Sequence, residues 1–398
     1  MSSNEKNIPK RRFKEFLEGE AWEERKLYQV AEFNPKADLP DVFEYVDLES
    51  VVGTEMISHR TTMKSSAPSR AQRLAMTGDV FYQTVRPYQK NNYLFIKPDR
   101  NYVFSTGYAQ MRPNIEADFL MGFLQTESFV KTVLDNCTGT SYPAINSTDL
   151  SNLQIYLPVL RDEQKRVGRM FTKLDNLITL HQRKLDKLKV LKKAYLAQMF
   201  PSVGESKPRL RFSGFNDDWE QRKLGELGSV VMNKRIFKEQ TSDVGEVPFY
   251  KIGTFGSEPD AFISRELFEE YKSKYPYPEK GDILISASGS IGRTVEYKGE
   301  DEYFQDSNIV WLQHDSRLIN SFLKQFYSIV KWSGLEGSTI KRLYNKNILD
   351  TKILLPKPAE QKKIGEFFIE LDNLITLHQR KLEKLQNIKK AYLNEMFV

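Results

Sequence analysis

The chain has 398 residues, of which 40% are hydrophobic and 12% aromatic, so its composition is that of a folded protein with two or three domains and excludes intrinsic disorder. Its net charge of +6 permits a polyanionic partner without requiring one. No apolar stretch approaches membrane-spanning length, the polar N-terminus lacks a signal-peptide core, and the single Cys137 excludes an internal disulfide or a cysteine zinc cluster. We expect a cytoplasmic protein with no membrane association.

Two blocks of short apolar runs, separated by Gly, Pro and Asn, predict strands joined by turns. In the first block, from Trp22 to about Leu157, the predicted strands are YQVAEF, FEYVDL, GDVFYQTV, NNYLFI, YVFSTGYAQM and LQIYLP. Helical spacing of apolar residues predicts one helix there, from Ala117 to Leu134. The second block repeats the plan, with a helix near Ser321 to Val330 and the strands VPFYKIGTF, GDILISAS, TVEY, NIVWLQ and TKILLP.

A long amphipathic helix follows each block, at residues 161–200 and 359–398. At 1.5 Å per residue the first would be roughly 60 Å long, more than its own compact domain could cover. We therefore predict that the two helices pack against each other as a coiled-coil pair, with the histidines forming a polar layer that fixes the register. The predicted packing residues are Leu174, Ile178, His181, Leu185, Leu371, Ile375, His378 and Leu382.

The helices carry an internal duplication. LDNLITLHQRKL occupies residues 174–185 and recurs letter for letter at residues 371–382, an offset of 197 positions. The same register relates EQKRVGRMF to EQKKIGEFF, KKAYLAQMF to KKAYLNEMF, and the WEERKL opening at Trp22 to WEQRKL at Trp219. GDVF at Gly78 and GDIL at Gly281 are read as the same strand start in the two copies. The chain therefore contains one unit twice. The opening segment and the long helix are nearly identical in the two copies, which we call the repeated frame, and the sequence between them differs.

The repeat sets the predicted domain boundaries. We assign residues 1–158 to an N-terminal segment and first domain, 159–207 to the first repeated helix and a linker, 208–356 to the second domain, and 357–398 to the second helix. The fold class is α+β: two pseudo-repeated, mixed α/β domains joined by two long antiparallel coiled-coil helices. The first helix carries eleven basic and four acidic residues against seven and six for the second, so only the first is strongly cationic.

Motifs for catalysis are absent from the sequence, with one weak exception. None of the four histidines has metal-ligand spacing, and no phosphate-binding loop, dinucleotide fingerprint or GxSxG elbow occurs. Asp260, Glu270 and Lys272 match the spacing of a PD…E-x-K nuclease core, in which carboxylates hold a metal ion. The segment around Glu270 reads as helix or turn, whereas such a core needs a strand, so the match is disfavoured.

The divergent loops carry side chains suited to nucleic acid: Arg and Lys for phosphates or guanine edges, Asn and Gln for adenine edges, and Tyr for stacking. Any one of these charged residues could equally belong to an ordinary solvated loop. As a set, however, the loops differ between the two copies while the segments around them are nearly identical, which favours recognition of a different ligand sequence by each copy. The candidate DNA-binding residues are Arg60, Lys64, Arg70, Arg73, Arg86, Lys90 and Asn91 in the first block, and Lys234, Arg235, Lys272, Lys274, Ser290, Arg293, Lys341 and Arg342 in the second.

The ordered, doubled motifs resemble the specificity subunits of type I restriction-modification systems over almost the whole chain. They are the WExRKL openings, the GD strands, the block endings GTSYPAINSTDLSNLQIYLP and GSTIKRLYNKNILDTKILLP, and the two EQK helices. The resemblance implies a non-catalytic DNA-specificity subunit whose domains each read half of a bipartite duplex site. It also implies helices that space the domains and dock two modification subunits. S-adenosylmethionine and ATP would then belong to modification and motor-nuclease partners, with no cofactor or metal in this chain.

Two other functions stay open on the sequence alone. One is the nuclease built on Asp260, Glu270 and Lys272, which would cut DNA with magnesium and without partners. The other is a coiled-coil scaffold whose globular halves bind proteins. A scaffold would show little DNA affinity and little dependence of that affinity on salt, whereas phosphate contacts weaken steeply as salt rises.

Overall fold

The computed structural model describes residues 7–98, 101–332 and 342–398 of the chain. These residues form two compact units, which we call unit 1 (Met1–Lys184 and His378–Val398) and unit 2 (Leu185–Leu377). Each unit contains one variable block and a part of both long helices. The predicted α+β class, with two repeated mixed domains and two long helices, is confirmed.

Unit 1 is built around two four-stranded sheets. Their strand orders are β2-β11-β8-β9 and β6-β3-β10-β7, and the WExRKL opening forms a separate antiparallel pair with the last strand of the block, β1 with β12. The strands are β1 Glu23–Lys26, β2 Ala31–Phe33, β3 Val42–Val46, β4 Val51–Val52, β5 Glu55–Met56, β6 Arg60–Met63, β7 Ala71–Leu74, β8 Val80–Gln83, β9 Tyr93–Leu94, β10 Tyr102–Ser105, β11 Tyr108–Pro113 and β12 Gln154–Leu157. The helices are α1 Leu27–Val30, α2 Ala117–Phe123, α3 Glu127–Asp135, α4 Ser147–Ser151 and the start of α5 Arg161–Met199.

Unit 2 repeats this plan. The sheet β14-β20-β17-β18 corresponds to β2-β11-β8-β9, the WEQRKL strand pairs with the last strand of its block, and a smaller sheet has the order β16-β15-β19. The strands are β13 Glu220–Lys223, β14 Gly228–Val231, β15 Val247–Tyr250, β16 Phe262–Ile263, β17 Ile283–Ser286, β18 Thr294–Glu296, β19 Tyr303–Phe304, β20 Ile309–His314 and β21 Lys352–Leu355. The helices are α6 Arg265–Lys274, α7 Asn320–Ile329, α8 Asn345–Leu349 and α9 Pro358–Met396, which continues into unit 1.

The two GD motifs start equivalent strands for the same local reason. Gly78 and Gly281 have φ angles of +97° and +98°, a conformation that a side chain would strain. The aspartate that follows each glycine accepts a hydrogen bond from a backbone N–H three residues before it, Asp79 at 2.8 Å and Asp282 at 2.8 Å. Each motif therefore closes a tight turn and delivers the chain into a buried strand, β8 or β17.

Three predictions of secondary structure were wrong. The single strand predicted at YVFSTGYAQM is two strands, β10 and β11, which belong to different sheets. The predicted strand YQVAEF begins as the one-turn helix α1 and becomes a strand only at Ala31. The predicted helix from Ala117 to Leu134 is two helices, because the Thr126 side chain accepts a hydrogen bond from the backbone N–H of Phe129 and caps the start of α3. A capping threonine inside an apolar periodic stretch thus ended one helix and started another.

The long helices pack antiparallel to each other within each unit. In unit 1, Phe171 of α5 packs near Phe397, which follows α9, with ring centroids 5.3 Å apart, and Lys389 Nζ lies 2.5 Å from Asp175 Oδ1. In unit 2, the equivalent Lys192 of α5 lies 2.6 Å from Asp372 of α9. The predicted packing residues Leu185, Leu371 and Leu382 are buried, and Leu174, Ile178, Ile375 and both histidines are half-buried.

Each hydrophobic core is completed by the end of the helix that belongs to the other sequence copy. In unit 1, Phe397 lies 6.1 Å from Trp22 and 5.4 Å from Phe119, measured between ring centroids. In unit 2, Phe200 lies 5.9 Å from Trp219 and 5.1 Å from Phe322. The two copies are therefore structurally interlocked, and neither unit is formed from one contiguous repeat.

The two repeated histidines meet in unit 1, where His181 Nδ1 lies 2.8 Å from His378 Nδ1. Burial lowers the pKa of His181, and His378, Lys381 and Lys184 lower it further. An unfolded histidine titrates near pH 6.5, so below that pH the unfolded chain binds more protons than the folded one. We expect the melting temperature to fall as pH decreases from about 7.5 toward 5.5.

Replacing His181 with Gln tests this expectation, because an amide keeps a polar side chain at the position but does not titrate. The measurement is the melting temperature of wild type and His181→Gln across that pH range. We expect a flatter profile for the variant. Parallel profiles for the two proteins would show that His181 is not the titrating group.

Candidate nucleic-acid interface

In unit 1, two loops lie side by side at the end of strand β8. The loop of residues 84–92 follows β8, and the loop of residues 138–146 precedes α4. The backbone N–H of Arg86 donates to the Pro143 carbonyl at 2.8 Å, and the N–H of Ile145 donates to the Thr84 carbonyl at 3.0 Å. We call these two segments the paired loops of unit 1.

Unit 2 has the same arrangement at the end of strand β17. The turn of residues 287–293 follows β17, and residues 342–344 precede α8; the backbone N–H of Leu343 donates to the Ala287 carbonyl at 2.8 Å. These segments are the paired loops of unit 2. The two sets of loops follow the two GD strands. The repeated frame therefore places loops of different sequence at equivalent positions of the two units.

A buried polar residue at the end of each GD strand organises the loop that follows. Gln83 is 3% exposed, and its amide donates to the Val85 carbonyl at 2.7 Å and to the Gln89 side chain at 2.8 Å. Ser286 is 1% exposed, and its hydroxyl accepts from the backbone N–H of Arg293 at 3.0 Å. These hydrogen bonds shape the loops from within and leave their outer side chains available to a ligand.

Five candidate cations are neutralised by carboxylates inside their own unit. Such pairs reduce the positive charge that a nucleic acid would meet, although exposed pairs are weak and exchange readily with phosphate. The nitrogen–oxygen distances are 3.7 Å for Arg60–Asp47, 3.0 Å for Lys90–Glu127, 3.0 Å for Arg235–Asp306, 3.4 Å for Lys272–Asp301 and 3.0 Å for Lys274–Glu270.

Other candidate cations have no carboxylate partner among the described residues. Several are held by uncharged groups: Lys234 lies over the Tyr275 ring at 4.9 Å, Arg293 donates to the Gly256 carbonyl at 3.1 Å, and Arg342 donates to the Ser307 carbonyl at 2.8 Å. Their positive charge is therefore uncompensated, as a phosphate-binding surface requires. The members of this group are Lys64, Arg70, Arg73, Arg86, Lys234, Arg293 and Arg342.

The remaining candidates have other placements. Asn91 is half-buried, and its Oδ1 accepts from the backbone N–H of Gly53 at 2.8 Å, so this amide oxygen holds a turn of the domain. Ser290 lies exposed in the paired loops of unit 2, where its carbonyl accepts from the N–H of Arg293 at 3.1 Å. Lys341 lies outside the described residues.

Two exposed tyrosines belong to the paired loops and were not among the predicted contacts. The Arg86 guanidinium lies 4.4 Å above the Tyr142 ring, and Tyr142 is 63% exposed. In unit 2, Arg342 lies 6.0 Å from the Tyr344 ring, which is 62% exposed. The available signal was a tyrosine near the start of each block ending, GTSYPAIN and GSTIKRLYNKN, but loop sequences alone do not show which segments meet.

Sequence reasoning also missed a buried ion pair in each unit. Arg12 and Glu163 have side chains 5% and 0% exposed and approach to 2.6 Å, and Arg211 and Glu360 do the same at 2.6 Å with 14% and 2% exposure. The glutamates open the EQK motifs. The signal was a further repeat, PKRRF at residues 9–13 and PRLRF at residues 208–212, whose arginines are the partners.

The residues of the nuclease motif do not form one site. Glu270 and Lys272 both lie on helix α6, as the sequence indicated, and they pair with different residues, Lys274 and Asp301. Asp260 is exposed and pairs with Lys251 at 2.9 Å. Within the described ranges, no group of three or more His, Cys, Asp or Glu side chains is placed to hold a metal ion.

Two mixed α/β units, each presenting paired loops with uncompensated cations and an exposed tyrosine, are typical of a nucleic-acid-recognition protein with two reading modules. Across residues 7–98, 101–332 and 342–398, no helix is both long and apolar enough to cross a membrane. A sequence profile of the type I restriction modification DNA specificity domain matches residues 20–190 and again residues 216–387. The chain belongs to this family.

The relatives agree with this assignment. A Haemophilus influenzae protein, S.HindORF215P, whose description as a type I restriction enzyme specificity subunit is itself provisional, is 57% identical over 152 residues, covering 38% of this chain and 40% of the relative. The type I restriction enzyme MjaVIII specificity subunit of Methanocaldococcus jannaschii is 27% identical over 289 residues, covering 67% of this chain and 66% of the relative. Both alignments thus cover less than two thirds of the relative's own length.

The fold is shared with the type I restriction-modification system S subunit from M. genitalium, at a TM-score of 0.70 with 17% identity, over 98% of this chain and 99% of that one. The predicted resemblance to type I specificity subunits, with two repeated recognition domains, is confirmed by the doubled family match. The matched domain is a DNA specificity domain, which agrees with the interpretation of the chain as a DNA-recognition component.

Proposed function

We propose that this chain is the DNA-sequence-specificity subunit of a type I restriction-modification complex, in which each unit reads one half of a bipartite duplex site. The observation that carries the proposal is the repetition of the paired loops: an equivalent frame presents different cationic and aromatic side chains in the two units. Two units with the same frame and different loops are able to recognise two half-sites of different sequence. The chain acts in the cytoplasm, with its DNA.

The proposed function implies a division of labour in the complex. Modification subunits bind S-adenosylmethionine and methylate, and restriction subunits use ATP for translocation and cleavage. The duplicated helices set the distance between the half-sites, as subunit geometry sets half-site spacing in dimeric DNA-binding proteins. The same helices dock two modification subunits.

The surface of the duplicated helices supports two equivalent docking sites. Leu177 and Leu180 of α5 are 43% and 45% exposed in unit 1, and their repeats Leu374 and Leu377 of α9 are 44% and 45% exposed in unit 2. Large apolar side chains that face solvent on two identical segments mark interaction surfaces for two copies of one partner. We call Leu177 with Leu180, and Leu374 with Leu377, the two leucine patches.

Charging one leucine patch should remove one modification subunit. We expect Leu177→Glu with Leu180→Glu to change the stoichiometry from two modification subunits per chain to one, and the same change at both patches to abolish binding. Glutamate is a good helix former, so the helices should remain folded. Native mass spectrometry of the co-expressed complex measures the stoichiometry.

The matched control is Val190→Glu. Val190 is an exposed apolar residue of α5 at 68% exposure, but it lies outside the duplicated dodecapeptide and its counterpart in the second copy is Asn387. It should leave two modification subunits bound. Loss of a subunit in this variant as well would mean that any added charge on the helices disrupts assembly, and would remove the support for the leucine patches.

DNA affinity as a function of salt tests the proposed function against a protein scaffold. The full chain, purified with its modification subunit, is titrated with a duplex that carries the sequence methylated by the complex and with a duplex of shuffled sequence. We expect a preference for the site and a log–log slope of about −0.9 for each phosphate neutralised. Equal, weak and salt-insensitive binding to both duplexes would contradict DNA recognition and favour the scaffold.

A further inference from the structure

In the paired loops of unit 1, one arginine contacts groups that do not neutralise its charge. The backbone N–H of Arg86 is anchored to Pro143 at 2.8 Å, and its guanidinium lies 4.4 Å above the ring of Tyr142. We infer that Arg86 reads a guanine in the major groove of the half-site recognised by unit 1, with Tyr142 as its positioning residue. This inference rests on the proposed function and names the base that this loop recognises.

The backbone at Arg86 indicates that the side chain is needed there. Its φ of +54° lies in the left-handed region, and among the described non-glycine residues only Asn34, Lys90 and Ser307 share a positive φ. Glycine or asparagine adopts this conformation more easily than arginine does. Arg86 is half-buried and immediately precedes the 3-10 turn Pro87–Gln89, and a non-glycine residue with a left-handed backbone in a loop is typical of a functional position.

The charge of the loop is concentrated on this one residue. Lys90, the other cation of residues 84–92, also has a left-handed backbone at φ +55°, but its Nζ lies 3.0 Å from Glu127 and 3.1 Å from the Gln125 carbonyl. No carboxylate among the described residues pairs with Arg86. Of the two cations with the same backbone conformation, only Arg86 therefore offers an uncompensated charge.

The chemistry of a guanidinium next to an aromatic ring suits a guanine edge. Arg86 Cζ lies 4.4 Å from the centre of the Tyr142 ring, and the guanidinium N–H donors, which form a rigid planar fork, have no hydrogen-bond partner among the described residues. That fork matches O6 and N7 of guanine in a bidentate contact, which depends on orientation. Arginine can also hold a phosphate with two N–H donors, but that contact does not depend on the identity of the base, so the base preference of Arg86 variants separates the two.

The experiment selects duplexes from a library with randomised half-sites, using the full chain purified with its modification subunit. The variant Arg86→Lys keeps the positive charge but loses the planar pair of N–H donors that a bidentate contact needs. We expect it to lose about 5- to 150-fold of discrimination for guanine at one position of one half-site, while the other half-site stays unchanged. Tyr142→Ala should weaken the same guanine preference without changing the salt dependence of binding.

Lys131→Ala changes an exposed lysine of α3 outside the paired loops; it is the matched control and should leave every base preference intact. If Arg86→Lys weakens binding to all sequences equally, Arg86 contacts a phosphate and the inference is overturned. An unchanged guanine preference in this variant would overturn the inference too. If the wild-type complex selects no sequence, both the inference and the proposed function fail. If it selects a bipartite site that ignores Arg86, only the inference fails, so the two are distinguished by one selection.

Discussion

Replacing Phe397 with Ala should destabilise unit 1, although this residue belongs to the second sequence copy. The ring is 5% exposed and packs against Trp22, Phe119, Phe123 and Phe171, with centroid distances of 5.3 to 6.1 Å. Removing a buried phenylalanine from such a cluster costs about 3–5 kcal/mol of the free energy of unfolding. Hydrogen exchange followed by mass spectrometry measures the loss in each peptide.

Phe200→Ala is the matched variant, because Phe200 fills the equivalent place in unit 2. We expect faster exchange in peptides of residues 22–184 for Phe397→Ala and in peptides of residues 216–377 for Phe200→Ala. The opposite assignment, in which each phenylalanine protects its own sequence copy, would contradict the interlocked packing.

Breaking the Arg12–Glu163 pair should have an effect of similar size. Glu163→Ala would leave the Arg12 guanidinium buried without the carboxylate that accepts two of its hydrogen bonds, at 2.6 and 2.7 Å. An uncompensated buried charge costs about 3–5 kcal/mol, whereas replacing both partners by apolar residues is much less harmful. Chemical denaturation of Glu163→Ala, Arg12→Met and the double variant Arg12→Met with Glu163→Met measures this difference.

The neighbouring pair Arg11–Glu395 supplies the control. Its nitrogen–oxygen distance of 2.5 Å is comparably short, but the side chains are 55% and 37% exposed. Solvent screens such a pair, so Glu395→Ala should cost no more than about 1 kcal/mol. A loss in Glu395→Ala equal to that in Glu163→Ala would show that burial is not what makes the Arg12–Glu163 pair important.

The duplicated frame could be predicted from the sequence because its signals are repeated. Period and turn residues located the helices α5 and α9 and the GD strands, and the letter-for-letter repeat indicated two equivalent units. The helix break at Thr126 was missed because a side-chain cap does not interrupt the apolar period that predicted one helix. The one-turn helix α1 was missed for the same kind of reason, since four residues are too few to show a period.

The loop contacts were beyond sequence reasoning for a different reason: they depend on which segments meet. Arg86 was a candidate from its residue type, but its stacking on Tyr142 arises from hydrogen bonds between loops more than fifty positions apart. The same applies to Lys90 and Asn91, whose partners Glu127 and Gly53 are distant in the chain. Residue type predicted a cationic surface, and only the fold shows which of its charges are neutralised.

Exchange of one variable block tests most directly whether each unit reads its own half-site. Residues 22–158 would be replaced by the corresponding block of another family member, the chimera expressed with the modification subunit, and methylated adenines mapped across the host genome. We expect a bipartite motif in which one half changes while the other half and the gap between them are kept. A motif with both halves changed, or with neither changed, would contradict independent recognition by the two units.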